Sequence, residues 1–166
     1  MKEINEIKNA KDIIGLFQKN YDKLLCAQTF TNSINPLNIL TNNELNKFSF
    51  NYNYSISIIK NDERLIDDDL KNFIIDEKNN IAYSDNYYLD LNTLTIVRFK
   101  DIKKIKMHWH YSLLRNWDTY GLCHYIDIYN KNGIKQKVLD FNLHFTSNEQ
   151  LPLYDLFIER INKAEK

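Results

Sequence analysis

The sequence predicts an α+β domain in which an antiparallel sheet is flanked by one helix near each end of the chain. Apolar residues recur every three or four positions near both ends, whereas short alternating or continuous apolar runs fill the middle. Between two of these runs stands Asn130-Lys131-Asn132-Gly133, and Asn-Gly is typical of a tight hairpin. We expect residues 1–40, an N-terminal helix and its connection, to pack on a sheet domain formed by residues 41–166.

The first predicted helix covers residues 10–28. Asn9, followed three positions later by Asp12, is a helix start signal. The apolar stripe of this helix consists of Ile14, Phe17, Tyr21, Leu24 and Leu25. Residues 29–40 contain Asn35-Pro36 and are predicted to be a connection.

Residues 48–58 give the clearest strand pattern in the sequence. Six apolar residues alternate with Ser and Asn: Phe48, Phe50, Tyr52, Tyr54, Ile56 and Ile58. This period of two predicts a strand with one packed and one hydrated face. The aromatic row could also stack on bases of single-stranded nucleic acid, but its neighbours are Ser and Asn rather than Lys or Arg. We therefore expect core packing.

The rest of the chain is predicted to complete the sheet and to close it with a helix. Residues 60–72 form a charged loop or the start of a short helix, and 100–106 a turn or bend. The further strands are predicted at 73–75, 81–83, 87–91, 94–99, 105–113, 122–129 and 134–145. The final helix covers 151–163, and its buried side should carry Leu151, Tyr154, Phe157, Ile158 and Ile161.

The composition disfavours several classes of function. Lysine and arginine number 22 and so do the acidic residues, which gives no electrostatic footprint for nucleic acid and no pull towards an anionic membrane. With three glycines the chain has no glycine-rich nucleotide loop, so no cofactor is expected. A secretory signal, a membrane span and a disulfide framework are also not expected, which favours a cytoplasmic protein. The excess of Asn, Ile, Lys and Tyr is typical of an AT-rich genome.

Three runs of the chain resemble the bacterial pleckstrin-homology-like (PH-like) domain. NNIAYSDNYYLDL (79–91) resembles its paired short strands around a Ser-Asp turn, and TIVRFKDIKKIK (95–106) its strand followed by an aromatic-x-Asp-Ile segment. YIDIYNKNGIKQKVLDF (125–141) is similar to its later hairpin, with the final helix following. The resemblance covers about two thirds of the chain, from residue 48 to residue 163. It implies a bent sandwich or partial barrel of seven strands plugged by a C-terminal amphipathic helix, with the N-terminal helix as an addition.

The resemblance also implies a non-catalytic module that binds lipids, peptides or proteins. Phosphoinositide-binding members hold phosphates with basic residues in the first loop between strands. The loop taken to correspond, 60–72, is acidic here, so lipid binding is not expected. A protein or peptide is the expected partner.

Metal binding is the alternative, because His108 and His110 stand two apart on a predicted strand and so share a face. The apolar residues of that strand occupy odd positions, including Ile105, Met107 and Trp109, which turns both histidines to solvent. Apolar faces of neighbouring strands align only if these odd positions oppose even positions of 122–129. Asp127 then accompanies the two histidines, and two His with one Asp can hold a divalent metal.

The simpler interpretation is a hydrated strand face that binds no metal, and we favour it. Cys123 and His124 are adjacent and should point to opposite faces, so we expect no catalytic pair there. Asp67-Asp68-Asp69 lacks the alternation of a calcium loop. We therefore predict a non-catalytic protein-binding or regulatory module that uses a sheet edge, a loop or the acidic segment. The alternative is a small metal-dependent enzyme or metal sensor using His108, His110 and Asp127.

Overall fold

The structure is a computed structural model that describes residues 3–34, 42–111, 122–140 and 153–165. Its α-helices are α1 (Ala10–Ile34), α2 (Asn42–Asn61), α3 (Glu63–Asp69) and α4 (Leu153–Ala164). Its strands are β1 (Ile74–Asp76), β2 (Ile81–Tyr83), β3 (Tyr87–Asp90), β4 (Thr95–Arg98), β5 (Ile102–Tyr111), β6 (Leu122–Asn130) and β7 (Lys135–Asp140). The predicted α+β class is confirmed.

The strands form two antiparallel sheets. The four-stranded sheet has the order β1-β2-β3-β4, and the three-stranded sheet has the order β5-β6-β7. Residues Phe99–Asp101 form a 3₁₀ turn between the sheets, at the predicted bend. All seven strands of the described residues therefore lie between residues 74 and 140, where the strands after 48–58 were predicted.

The strand predicted at 48–58 is wrong, because these residues lie in α2. The buried positions of α2 follow a helical stripe that includes two polar residues, Asn51 and Ser55. Asn51 Nδ2 donates to Thr95 Oγ1 at 2.5 Å, and Ser55 Oγ accepts from the Ile96 N–H at 3.2 Å. Phe50, predicted to be inward, is 56% exposed.

Strands β2, β3 and β4 of the four-stranded sheet are covered on both faces. On one face, Ala82 and Leu89 join a core with residues of α1, α2 and α3, including Phe17 and Ile59. On the opposite face, Ile81, Tyr88 and Val97 join a second core with the three-stranded sheet and α4. Burial on both faces explains why β3 is buried at every position although its sequence includes Asp90.

The N-terminal helix begins as predicted, continues to Ile34 where a connection was predicted from residue 29, and packs elsewhere than expected. Asn9 Oδ1 accepts from the Asp12 N–H at 2.9 Å, which is the predicted start signal. The helix was expected to cover a strand at 48–58, but it packs on α2, where the rings of Tyr21 and Tyr52 stack at 4.1 Å. The predicted domain boundary between residues 40 and 41 lies outside the described residues.

The C-terminal helix closes the second core. Phe157 is fully buried, and its ring centroid lies 4.9 Å from that of Tyr88 and 5.4 Å from that of Phe99. Tyr154 and Ile161 are half-buried against this core. The prediction for Ile158 is wrong, since it is 38% exposed, and Leu151 lies outside the described residues.

Side chains join β7 to the four-stranded sheet along a polar seam. The buried carboxylate of Asp90 accepts from the Leu139 N–H at 2.9 Å, and Thr95 Oγ1 donates to the Lys137 carbonyl at 2.9 Å. Gln136 Nε2 donates to the Ile96 carbonyl at 2.7 Å. Polar backbone groups that β7 turns away from β6 are therefore satisfied by the other sheet.

The hairpin between β6 and β7 lies at the predicted position. Asn130 N–H donates to the Ile134 carbonyl at 2.8 Å, and Gly133 N–H to the Asn130 carbonyl at 3.0 Å. We expected a turn with two residues of positive φ, but Gly133 has φ 84° and Asn132 keeps negative φ. The loop is therefore three residues long, with glycine at the left-handed position.

Candidate binding surfaces

Asp62 begins the acidic segment and points into the protein. Arg98 donates to both of its carboxylate oxygens, from Nε at 2.5 Å and from Nη2 at 2.9 Å. Tyr87 OH donates to Asp62 Oδ2 at 2.9 Å. Burial acts to raise the pKa of Asp62, but hydrogen bonds from Arg98 and Tyr87 outweigh it and hold this pKa below its usual value. The carboxylate is thus occupied by partners inside the domain.

Two further acids of this segment have internal partners. Asp69 is buried and accepts from Ser84 Oγ and, at 3.3 Å, from Asn86 Nδ2. Asp67 Oδ1 accepts from the Ala10 N–H at 2.7 Å, at the start of α1. These hydrogen bonds hold α3 against α1 and against the turn after β2. Asp68 of the same helix is exposed.

The segment also lies elsewhere in the topology than the resemblance suggested. Residues 60–72 precede β1, whereas the first connection between strands is residues 77–80. The correspondence with the phosphate-binding loop is therefore wrong.

A pocket of about 200 Å³ opens beside α3, lined by Leu65, Asn86, Tyr87, Arg98, Lys100 and Ala164.

The outer face of the three-stranded sheet carries lysines in two rows. The strand register places Lys104, Tyr129 and Lys135 side by side, and Lys106, Asp127 and Lys137 in the next row. The opposite face of the same strands carries Ile126, Ile128 and Val138, which are buried in the core. We call these six residues the lysine face: Lys104, Lys106, Asp127, Tyr129, Lys135 and Lys137.

One buried carboxylate and one aromatic ring organise this face. Asp127 is 2% exposed, and its oxygens lie 3.3 Å from Lys135 Nζ and 3.8 Å from Lys137 Nζ. Lys104 Nζ and Lys135 Nζ lie 5.0 Å and 5.7 Å from the centroid of the Tyr129 ring. Both distances fit cation–π contact, so Tyr129 holds two ammonium groups in place.

The register of β5 and β6 at the predicted metal residues is the one predicted from their apolar faces. Odd positions of β5 oppose even positions of β6, and His108 pairs with Tyr125 and His110 with Cys123. Asp127 pairs with Lys106, diagonal to His108 on the same face of the sheet. Lys135 and Lys137 already form ion pairs with the Asp127 carboxylate that a metal site would need. The side chains of His108 and His110 lie outside the described residues, so the metal alternative stays a prediction.

The edge of the four-stranded sheet at β1 is apolar and open to solvent. Ile74 and Ile75 are 51% and 41% exposed, although neighbouring residues of a strand point to opposite faces. Within the described ranges, β1 pairs with β2 alone. The apolar run 73–75 predicted this strand, but its place at an edge could not be predicted from the run, because the neighbours of a strand are set by the topology.

Neither a membrane-spanning helix nor a metal-binding cluster is found among the described residues. There, no helix combines the length and the apolar character needed to cross a membrane. The same residues contain no group of three or more His, Cys, Asp or Glu side chains placed to hold a metal ion. No family model, no curated protein and no solved structure matches this chain.

Proposed function

We propose that this chain is a non-catalytic, cytoplasmic protein-binding module that adds an extended segment of a partner protein to the edge of β1. The observation that carries the proposal is the exposure of Ile74 and Ile75 on this edge strand. Strand addition satisfies edge backbone groups, while side chains of alternate residues give specificity.

The sequence of β1 supports its use as a binding edge. Among the devices that protect exposed edges, β1 has no lysine, proline or bulge, although it is only three residues long and carries one charged residue, Asp76. By contrast, side chains of the neighbouring sheet satisfy the outer backbone groups of β7. The order of a four-stranded sheet, a three-stranded sheet and a C-terminal helix also supports a PH-like binding module.

The internal hydrogen bonds of its carboxylates make the acidic segment a weaker candidate for the partner-binding surface. Asp62, Asp67 and Asp69 accept hydrogen bonds from Arg98, from the α1 backbone and from Ser84 respectively. A partner that used these carboxylates would have to break contacts that hold α3 on the sheet. The edge of β1 requires no such loss.

The test is capture of partners from the native cytoplasm by wild-type protein and by the variant Ile74→Lys/Ile75→Lys. The proposal expects a protein retained by the wild type to be lost with the variant. The matched control is Phe50→Lys/Leu65→Lys, which adds the same two charges at exposed apolar residues of α2 and α3. Hydrogen exchange of the captured complex should show slower exchange at residues 74–76.

Two results would contradict the proposal. Equal retention of the partner by the wild type and the β1 variant would place the contact elsewhere. Unchanged exchange at residues 74–76 in the complex would rule out strand addition, even if the lysine substitutions weakened capture.

A further inference from the structure

The lysine face is a second candidate surface, and it is separate from the β1 edge. Four lysines there surround a single carboxylate, Asp127, which is buried beneath them. The ammonium groups remain accessible, since Lys104 and Lys106 are exposed and the side chains of Lys135 and Lys137 are about half exposed. A local excess of positive charge therefore stands on a chain whose formal net charge is zero.

Protection of a strand edge accounts for only half of these lysines. Lys104 and Lys106 lie on β5, an outer strand of its sheet, where lysine is a common guard against aggregation. Lys135 and Lys137 lie on β7, whose outer backbone groups contact Asp90 and Thr95 of the other sheet. Edge protection is therefore not needed on β7, and the one carboxylate between these lysines, Asp127, balances only one of their two positive charges.

The spacing of the lysines fits an extended acidic segment. Lysines two residues apart on one strand are separated by about 6.7 Å, and those on β5 and β7 by about 9.5 Å across the sheet. Alternate carboxylates of an extended peptide repeat with the same separation of about 6.7 Å. One such segment laid along β5 or β7 would match two carboxylates to two ammonium groups.

The environment of Tyr129 argues against single-stranded nucleic acid as the occupant. Such ligands bind by stacking bases on open aromatic rings. Lys104 and Lys135 already contact the Tyr129 ring through their ammonium groups. The ring here positions cations instead of offering a stacking platform.

From the register, the exposure and this spacing, we infer that the lysine face binds a carboxylate-rich, extended segment of a partner protein. The two rows supply the charge, and Tyr129 together with Asp127 fixes the lysines that flank them. Binding at this face does not require the β1 edge, so each surface can be tested alone.

The test is a calorimetric titration of the full chain with a peptide of alternating Glu and Ser. The titration is made at low and at physiological salt. The peptide should bind more weakly as salt rises, because charges on an exposed face are screened over about 8 Å at physiological ionic strength. Lys104→Glu/Lys106→Glu should weaken binding by about tenfold or more. This variant leaves Lys135 and Lys137 beside Asp127.

The matched control is Lys11→Glu/Lys60→Glu, which makes the same change of net charge at exposed positions of α1 and α2. It should bind the peptide like the wild type, and so should Ile74→Lys/Ile75→Lys. If Lys104→Glu/Lys106→Glu does not fold, Lys104→Gln/Lys106→Gln is titrated instead, with the same direction of effect expected.

Three results would overturn the inference. The first is wild-type affinity in the Lys104/Lys106 variant, and the second is an equal loss in the control. The third is tighter binding of oligothymidylate or of phosphatidylserine vesicles than of the peptide, with the same dependence on Lys104 and Lys106, which would assign the face to another class of ligand.

Discussion

Arg98 of β4 and Asp62, the residue before α3, form a two-pronged ion pair with N–O distances of 2.5 Å and 2.9 Å. Asp101 accepts from Nη1 of the same guanidinium at 3.0 Å. This geometry is the strong, bidentate form of a charge-assisted hydrogen bond. The pair fixes α3 against the four-stranded sheet.

The substitution Asp62→Asn should therefore destabilise the fold. We expect the free energy of unfolding at neutral pH to fall by about 2 to 3 kcal/mol, because hydrogen bonds to charged groups contribute roughly 1.5 to 3 kcal/mol. Urea unfolding followed by circular dichroism measures this difference. Asp68→Asn, at an exposed acid of the same helix, should change it by less than about 0.5 kcal/mol.

The contribution of Asp62 should also depend on pH. Its pKa is lower in the folded chain than the ordinary value of 3.8. The stabilisation is thus present above that value and is lost as the pH falls through the folded pKa. Unfolding curves of wild type and Asp62→Asn should converge in acid, and a constant difference from neutral pH to acid would contradict the assigned role.

Phe157 and Ile158 provide a matched pair on α4. Phe157→Ala should cost roughly 3 to 5 kcal/mol, because a fully buried ring leaves a cavity against Tyr88 and Phe99. Ile158 is the next residue and is partly exposed, so Ile158→Ala should cost less than about 1 kcal/mol. Equal losses in thermal and urea unfolding would contradict the plugging role of α4.

The two histidines of β5 give a test of the metal alternative. We expect His108→Ala/His110→Ala to leave the free energy of unfolding within about 0.5 kcal/mol of wild type. Trp109→Ala should cost roughly 3 to 5 kcal/mol if the ring belongs to the apolar face. Stoichiometric metal in protein purified without a histidine tag, together with destabilisation by a chelator, would favour a metal site instead.

Removal of α1 should expose a large apolar surface. A chain beginning at residue 42 loses Phe17 and Ile13, which are fully buried against α2 and the sheet. We expect it to self-associate, because a contiguous exposed apolar patch promotes aggregation. Light scattering measures this, and a monomer with an unchanged melting curve would show that α1 is dispensable.

The later strands could be predicted because local signals and topology agree there. Residues 81–83 match β2 at both ends, since Asn80 and Ser84 flank the apolar run. The register of β5 and β6 followed from aligning their apolar faces. These inferences needed only side-chain alternation and the positions of the turns.

Residues 48–58 show where such reasoning fails. The alternation of aromatic residues with Ser and Asn is shared by strands, but a helix is formed here because tertiary contacts override propensity. Asn51 and Ser55 are buried to meet Thr95 and the backbone of Ile96, more than 40 residues away in the chain. The lysine face was missed for a similar reason, since its two rows appear only when three strands are set side by side.

The polar seam between the sheets makes two edge strands of the described fold, β1 and β7, kinetically different. The Leu139 amide proton lies on the buried carboxylate of Asp90, so solvent reaches it only after the two sheets separate. Amide exchange along β7 should therefore proceed on the timescale of sub-global opening, as for an interior strand. The β1 amides that face outward need no such event, which leaves this edge accessible on the much shorter timescale of diffusive encounter with another chain.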